Sequence, residues 1–145
     1  SITTVLWHPG GKFVFYGCER GIYRWDMQVL NEPTLCIPGA FDCAAISPKG
    51  DIVVYGGQKL SFYDAQYREE SHVFLEHFPS LLRYPQENAV YLATLHHGTW
   101  QFKLYRKRGA QWKIDLLTQG DDRQEIVQGG EFARNFTVLY SIDKK

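Results

Sequence analysis

One stretch of this sequence occurs twice at nearly fixed spacing, and this repetition constrains the fold more than any other feature. Residues 5–17 read VLWHPGGKFVFYG, and residues 44–56 read AAISPKGDIVVYG. The two prolines of these stretches, Pro9 and Pro48, are 39 residues apart. A fixed period of this length indicates a structural unit that stacks against copies of itself to complete its core.

Each unit contains short apolar segments separated by turn residues, which predicts four β-strands. Pro and Gly lie between the segments, as strand hydrogen bonding requires. The predicted strands are Thr4–His8, Lys12–Cys18, Ile22–Asp26, Thr34–Ile37, Cys43–Ser47, Asp51–Gly56, Lys59–Asp64, Ser71–Glu76, Ala89–Leu95, Trp100–Tyr105 and Trp112–Leu117. In the weaker third unit a first strand begins at Leu81, Pro85 and Asn88 supply its turn, and Arg108-Gly109 forms the last hairpin turn. The pattern predicts an all-β fold of four-stranded antiparallel β-propeller blades.

The predicted blades do not complete a ring. They span approximately residues 2–37, 41–76 and 80–117, and a half blade spans 123–142. Propellers usually close with about 4 to 8 blades, so this arc leaves apolar blade faces and a strand edge in water. Three completions are open: further blades of a longer chain, a segment of another chain, or a second copy. A compact β domain of another kind, such as a barrel, is the alternative architecture.

The two clear units resemble the WD40-type β-propeller family. Each has an apolar strand, a turn with Pro and Gly, a second strand ending in Gly, and a closing dipeptide. That dipeptide is Trp25-Asp26 in the first unit and Tyr63-Asp64 in the second. The resemblance covers roughly residues 2–117, with a weak echo to residue 142. The family's usual Gly-His pair before the first strand is replaced by Pro38-Gly39-Ala40 and His77-Phe78-Pro79, so the resemblance is to a divergent member.

The resemblance also implies where binding residues lie. In WD40-type propellers, the loops from second to third strand and from blade to blade lie together on one rim. Loops held by a rigid scaffold are where binding residues concentrate, and exposed aromatic and Arg side chains are the natural anchors for a partner. The residues expected to contact a protein partner on this rim are Glu19, Arg20, Phe41, Gln58, Lys59, His77, Phe78, His96, His97 and Arg123.

The sequence contains no pattern typical of an enzyme or a metal site. His72 and His77 are five residues apart, which is not a zinc-ligand spacing. His96 and His97 are adjacent at a predicted turn, so their side chains are expected to point to opposite faces. GxSxG, P-loop and GxGxxG motifs are absent from the sequence. We therefore expect no catalytic residues, no metal and no cofactor.

Charge is balanced, with one basic segment. The chain has 16 basic and 16 acidic residues, so no net field attracts nucleic acid or an anionic membrane. The basic residues Lys103, Arg106, Lys107 and Arg108 alternate with aromatic residues, a mixture that can bind nucleic acid by phosphate neutralisation and base stacking. The same segment also fits an ordinary hairpin whose charges flank an exposed turn, and the zero net charge favours that interpretation. Nucleic acid is therefore not the expected partner.

The three cysteines indicate the cellular compartment. Cys18, Cys36 and Cys43 form no CxxC pair, and an odd count is a poor disulfide framework. We expect reduced thiols in a cytoplasmic protein, with pairing of Cys36 and Cys43 left open. The sequence shows no signal peptide and no apolar run of the roughly 20 residues that a membrane helix needs, so no membrane association is expected.

Taken together, these features predict a non-catalytic protein-interaction scaffold built on WD40-like blades. It would be a subunit of a complex or part of a larger chain, completed by self-association or by another chain segment. The alternative is a small-molecule or nucleic-acid binding sensor domain of a larger effector protein.

Overall fold

The computed structural model describes residues 1–29 and 32–121, and this part of the chain forms twelve β-strands and no helix. The strands are β1 (Thr4–Trp7), β2 (Phe13–Cys18), β3 (Gly21–Asp26), β4 (Thr34–Pro38), β5 (Cys43–Ile46), β6 (Ile52–Gly56), β7 (Lys59–Tyr63), β8 (Glu69–Phe74), β9 (Leu81–Gln86), β10 (Ala89–His96), β11 (Thr99–Arg108) and β12 (Gln111–Asp121). Because these residues form no helix, none of them supplies a helix that could cross a membrane. The predicted half blade at 123–142, with Arg123, lies outside the described residues.

The strands form three four-stranded antiparallel sheets, which confirms the predicted fold class. The sheets have the orders β1-β2-β3-β4, β5-β6-β7-β8 and β9-β10-β11-β12, and we call them blades 1, 2 and 3. The first strands of consecutive blades lie side by side, β1 beside β5 and β5 beside β9. The described residues therefore form an arc of stacked blades and not a closed ring.

Side-chain acceptors close the turns that follow the first strand of blades 1 and 2. The Ser47 hydroxyl oxygen accepts hydrogen bonds from the backbone N–H groups of Lys49 at 3.2 Å and Asp51 at 3.0 Å. In blade 1 the ring nitrogen Nδ1 of His8 accepts from the Gly10 N–H at 3.0 Å. Both residues precede a proline, so the His-Pro and Ser-Pro pairs in the sequence repeat serve the same local purpose.

The closing aspartates of the two repeats also stabilise turns. The Asp26 carboxylate accepts from the Gln28 N–H at 3.0 Å. The Asp64 carboxylate accepts from the backbone N–H groups of Gln66 at 2.8 Å and Arg68 at 3.0 Å. These are Asx turns, in which a short carboxylate replaces a backbone acceptor. The bonds to Gln66 and Arg68 hold the pKa of Asp64 below its usual range, although partial burial opposes them.

The pairing of β2 differs by one residue from the sequence repeat. The repeat spacing equates Gly17 with Gly56, but Cys18 pairs with Gly21 across the hairpin just as Gly56 pairs with Lys59. The extra residue of blade 1 lies in the turn between β1 and β2, and both second hairpins keep two-residue turns. A shift of one residue sends every side chain of a strand to the opposite face, so each β2 residue faces the opposite side from the β6 residue that the sequence repeat aligns with it.

Two predicted turns of blade 3 are parts of strands. Pro85 lies within β9, at an irregularity in the pairing with β10, and the turn follows at Glu87 and Asn88. Proline has no N–H for the ladder, so a bulge is a position that tolerates it. Arg108 is the last residue of β11, and the final hairpin turn is Gly109-Ala110. The strands β11 and β12 are therefore longer than predicted.

The core lies between the blades. We call the face that a blade turns to the following blade its forward face, and the opposite face its rear face. The forward face of blade 1 packs on the rear face of blade 2, joining Phe15 and Ile22 to Ile52 and Val54. Between blades 2 and 3 the buried cluster is Ala45, Val53, Tyr55, Leu60, Phe62, Leu75, Leu82, Tyr84, Val90, Leu92, Tyr105 and Trp112. Apolar residues at alternating strand positions therefore face different interfaces, one set towards the following blade and the other towards the preceding blade.

Candidate functional site

Two kinds of segment meet at one end of the stacked blades. The two-residue turns β2–β3, β6–β7 and β10–β11 reach this end, and so do the links from blade 1 to blade 2 and from blade 2 to blade 3. The N–H of Gly39 in the first link donates to the Arg20 carbonyl at 3.0 Å, and the N–H of Leu75 donates to the Gln58 carbonyl at 2.9 Å. These bonds attach each link to the neighbouring turn of the same blade and fix the loops as one rim.

The predicted rim residues within the described part of the chain all lie at this end. We call them the rim surface. They are Glu19, Arg20, Phe41, Gln58, Lys59, His77, Phe78, His96 and His97. They do not contribute equally, because some are engaged in contacts of the scaffold and others are presented to solvent.

Three of the histidines form one cluster on the rim surface. The rings of His77 and His96 stack with centroids 4.1 Å apart, and those of His96 and His97 meet edge to face at 4.0 Å. The expectation that His96 and His97 point to opposite faces is therefore wrong. His96 ends β10, whereas His97 occupies the turn with a left-handed φ of 51°, and strand alternation does not extend into such a turn.

An exposed aromatic side chain lies beside this cluster in sequence. Phe78 is 55% exposed, and its ring packs edge to face on buried Tyr55 with centroids 5.7 Å apart. The Tyr55 hydroxyl donates to the Leu75 carbonyl at 3.3 Å, which holds Tyr55 against the same link. Phe78 is thus an apolar group held on a rigid base, the arrangement that anchors a partner at low entropic cost.

Two other rim residues are engaged by the scaffold. Phe41 is partly buried against the core between blades 1 and 2, so it is a packing residue more than an exposed one. The Glu19 carboxylate accepts from the amino group of Ser1 at 2.6 Å, with both groups largely exposed. That bond lowers the pKa of Glu19. The open part of the rim surface is therefore centred on blades 2 and 3.

Protonation of His96 is disfavoured within this cluster. Local desolvation and the imidazoles of His97 and His77 lower the pKa of His96, and the carboxylate of Glu76 acts in the opposite direction. Desolvation of the amine lowers the pKa of Lys103, and the carboxylate of Glu76 only partly opposes this effect. One carboxylate thus lies near both a histidine and a lysine, and the sequence analysis did not single out Glu76.

The basic residues of β11 are bound to carboxylates of the protein itself. Arg106 and Arg108 both bind Asp115, at 3.1 and 2.8 Å, and Lys107 binds Glu70 at 2.6 Å. These residues end β11 directly before the turn at Gly109-Ala110, so their charges flank this turn, as the hairpin interpretation expects. The ion pairs neutralise much of the positive charge that the sequence suggested for nucleic acid.

The described residues show no group of His, Cys, Asp and Glu that could hold a metal ion. Cys18, Cys36 and Cys43 are free thiols, and burial raises the pKa of Cys43 to about 12. A thiol with such a pKa stays protonated and unreactive near neutral pH. The chemistry that this end of the protein offers is recognition by an aromatic group, imidazoles and exposed amide and amine side chains.

The blade architecture and the rim geometry define the class of the fold: an arc of three blades of a WD40-type β-propeller. The chain is similar to the structure of U3-55K, with a TM-score of 0.61 and 16% identity over 86% of this chain. It is also similar to the WD40 domain of SCAP from fission yeast, with a TM-score of 0.57 and 11% identity over 88% of this chain. The CNH domain of AfRom2 gives a TM-score of 0.62 at 14% identity over 83% of this chain.

These similarities concern the fold. The chain spans 40% of the length of the U3-55K chain, 33% of the SCAP chain and 43% of the AfRom2 chain. No family model and no curated protein matches the sequence. The sequence predicted the WD40-type blades from the spacing of its own turns and strands.

Two supporting residues of the rim surface were not found by the sequence analysis. Tyr55 is the base under Phe78, and Glu76 is the acid beside the histidine cluster. Tyr55 looked like an ordinary strand residue, because its ring contact crosses from β6 to the link after β8. Glu76 was placed at the end of a predicted strand, where a single carboxylate gives no sequence signal.

Proposed function

We propose that this protein is a non-catalytic scaffold that binds a protein partner through the rim surface. The observation that carries the proposal is the position of Phe78. Its exposed aromatic ring packs on buried Tyr55 and lies among the loops of the rim surface. WD40-type architecture supports an interaction role, because its loops are held in place and can vary without changing the core.

The partner would place an apolar or aromatic group against Phe78 and polar groups against the imidazoles. His77, His96 and His97 each offer a donor and an acceptor in the neutral form, so they suit a polar backbone or amide side chain. Fixed aromatic anchors surrounded by polar groups are the usual arrangement of a small interaction hot spot. The partner surface would therefore be mixed and not strongly charged.

We place the protein in the cytoplasm as a subunit of a complex or a part of a longer propeller. Free thiols at all three cysteines support a reducing compartment. The chain spans less than half the length of the solved propellers that it matches, which supports completion by further blades or by another subunit. A nucleic-acid sensor is not favoured, because Arg106, Lys107 and Arg108 already bind Asp115 and Glu70.

The experiment compares proteins that co-purify with the wild type and with two matched variants. Phe78→Ser removes the exposed ring of the rim surface, and Phe74→Ser removes a ring on β8 that is 71% exposed. We expect a defined partner whose recovery falls at least tenfold with Phe78→Ser, since hot-spot truncation costs about 2 kcal/mol or more. Phe74→Ser should leave its recovery unchanged.

A partner lost equally with both variants would show general stickiness of exposed rings and would contradict the proposal. Retention of every specific partner by Phe78→Ser would contradict it as well. Both variants replace exposed side chains, so equal melting temperatures serve as the control for folding.

A further inference from the structure

The link between blades 2 and 3, residues 75–80, is bonded to the blades at its two ends. The N–H of Leu75 donates to the β6–β7 turn of blade 2, and the N–H of Ser80 donates to the Ala93 carbonyl of blade 3 at 2.8 Å. Between these bonds, the described residues offer no backbone hydrogen bond to residues 76–78. The middle of the link therefore depends on the contacts of its side chains.

Two ring contacts hold this middle part. The His77 ring stacks on His96 of blade 3, and the Phe78 ring packs on Tyr55 of blade 2. His96 in turn meets His97 of the β10–β11 turn. Because His77 and Phe78 are adjacent in the chain, separation of the two stacked imidazoles also frees the backbone that carries Phe78. The stack of His77 on His96 therefore connects blade 3 to the aromatic anchor of the rim surface.

Each ring of the histidine cluster can carry a positive charge. His96 and His97 are exposed and His77 is partly exposed, so protons from solvent reach all three rings. A histidine that nothing perturbs takes up its proton near about pH 6.5, so these rings gain charge as the solution becomes mildly acidic. The ring centroids are only 4.1 and 4.0 Å apart, and like charges at such distances repel each other.

The charged groups around the cluster do not compensate for this repulsion. Among the described residues, the carboxylate that faces His96 is that of Glu76 on the link, and it also faces the amine of Lys103 on β11. Lys59, which follows the β6–β7 turn, adds a second amine to the same end of the blades. Desolvation and then the neighbouring imidazoles lower the pKa of His96, and Glu76 only partly opposes them. One carboxylate shared with a lysine cannot neutralise three imidazolium groups.

We propose that the histidine cluster is a pH-dependent switch that holds the link on blade 3 when its rings are neutral and releases it when they are charged. Between about pH 5 and 6, the accumulated charge separates His77 from His96, and Phe78 loses its fixed position on Tyr55. The protein then releases the partner that it binds through the rim surface. This last step rests on the proposed function, but the switch itself can be tested without a partner.

The test is NMR of the 145-residue chain with isotope-labelled aromatic side chains. Spectra are compared at about pH 7.5 and about pH 5, on either side of the usual histidine pKa of about 6.5. At the higher pH, nuclear Overhauser effects should connect the ring of His77 to that of His96, and the ring of Phe78 to that of Tyr55. At the lower pH, the first contact should be lost and the second should weaken.

His96→Phe is the decisive variant, because it keeps a ring for His77 to stack on but cannot take up a proton. A charged imidazole is attracted to the face of an aromatic ring, so this stack and the Phe78 contact should persist at both pH values. His72→Gln is the matched control, because it removes an exposed histidine of β8 that lies outside the cluster. It should open at the lower pH as the wild type does.

Three results would overturn the proposal on the link itself. The first is a stack of His77 on His96 that persists in the wild type at about pH 5. The second is loss of that stack with an unchanged contact between Phe78 and Tyr55, because the anchor would then not be released. The third is the same opening in His96→Phe as in the wild type, because the charge of His96 would then not be its cause.

The core contact between Phe62 and Trp112 distinguishes local release from unfolding. It should persist at both pH values, and its loss together with the histidine stack would also overturn the proposal. Failure of the proposed function is seen in a different experiment, in which Phe78→Ser retains every specific partner. The two failures are therefore distinguishable.

Discussion

Trp112 provides a test of the interface between blades 2 and 3 because its packing and its hydrogen bonding act in opposite directions. Its side chain is 3% exposed and stacks on Phe62 of the preceding blade, with centroids 4.3 Å apart and planes 6° from parallel. Tyr84 meets it edge to face at 5.6 Å. Among the described residues, however, the buried indole N–H has no hydrogen-bond acceptor.

Two substitutions at this position separate the contributions. Trp112→Ala removes the whole ring, and large aromatic-to-Ala changes in cores lower the free energy of unfolding by about 3–5 kcal/mol. Trp112→Phe keeps a ring that can stack on Phe62 and removes the unpartnered N–H. The lost apolar area costs about 1 kcal/mol, whereas removing a buried unsatisfied donor recovers about 1–3 kcal/mol. We therefore expect Trp112→Phe to be at least as stable as the wild type, and by up to about 2 kcal/mol more stable.

Urea denaturation measures both changes. With a slope of about 1–3 kcal/mol/M, Trp112→Ala should lower the urea midpoint by about 2 M, whereas Trp112→Phe should leave it unchanged or raise it. Phe74→Ala, at an exposed position, should change the free energy of unfolding by no more than about 0.5 kcal/mol. If Trp112→Phe destabilised the protein as much as Trp112→Ala, the indole N–H would have to donate to an acceptor, and the reasoning would be wrong.

Two further predictions concern other contacts. Arg24 of blade 1 lies over the Phe13 ring and donates a hydrogen bond to the Tyr67 hydroxyl of blade 2 at 3.1 Å. A double-mutant cycle of Arg24→Ala and Tyr67→Phe should therefore give a coupling free energy of about 1 kcal/mol. A coupling free energy near zero would refute the bond between the blades. The pKa of His96, followed by NMR, should lie below the usual value of about 6.5 and rise in His97→Gln, because one neighbouring imidazole is removed. As the pH falls below the usual histidine pKa of about 6.5, the unfolded chain takes up the proton before the folded protein does. Protonation of His96 therefore lowers the free energy of unfolding. An unchanged pKa in His97→Gln would contradict the coupling.

The blade architecture could be predicted from the sequence because turn chemistry and strand patterning agree. The acceptors at Ser47 and Asp64 and the prolines and glycines beside them end the strands locally, so no tertiary knowledge is needed. Strand bounds failed where a local signal was overridden. Pro85 looked like a turn residue, yet a bulge keeps it in β9.

The candidate site could be predicted only in part. The rim position of Phe78 and His77 followed from the WD40 resemblance, since topology decides which loops meet. The contact of His96 with His97 could not be predicted, because it depends on the left-handed backbone of His97. The ion pairs of Arg106 and Lys107 could not be predicted either, because their partners Asp115 and Glu70 lie on other strands.

The one-residue shift of β2 has a consequence for how the protein folds. Phe13 and Phe15 occupy one phase of this strand and Val14 and Tyr16 the other, so apolar patterning alone supports two alternative pairings with β1 and β3. In the folded protein, the burial of Phe15 against blade 2 favours the native register, in addition to the two-residue turn between β2 and β3. We therefore expect the native register of blade 1 to become fully populated only after blade 2 has docked.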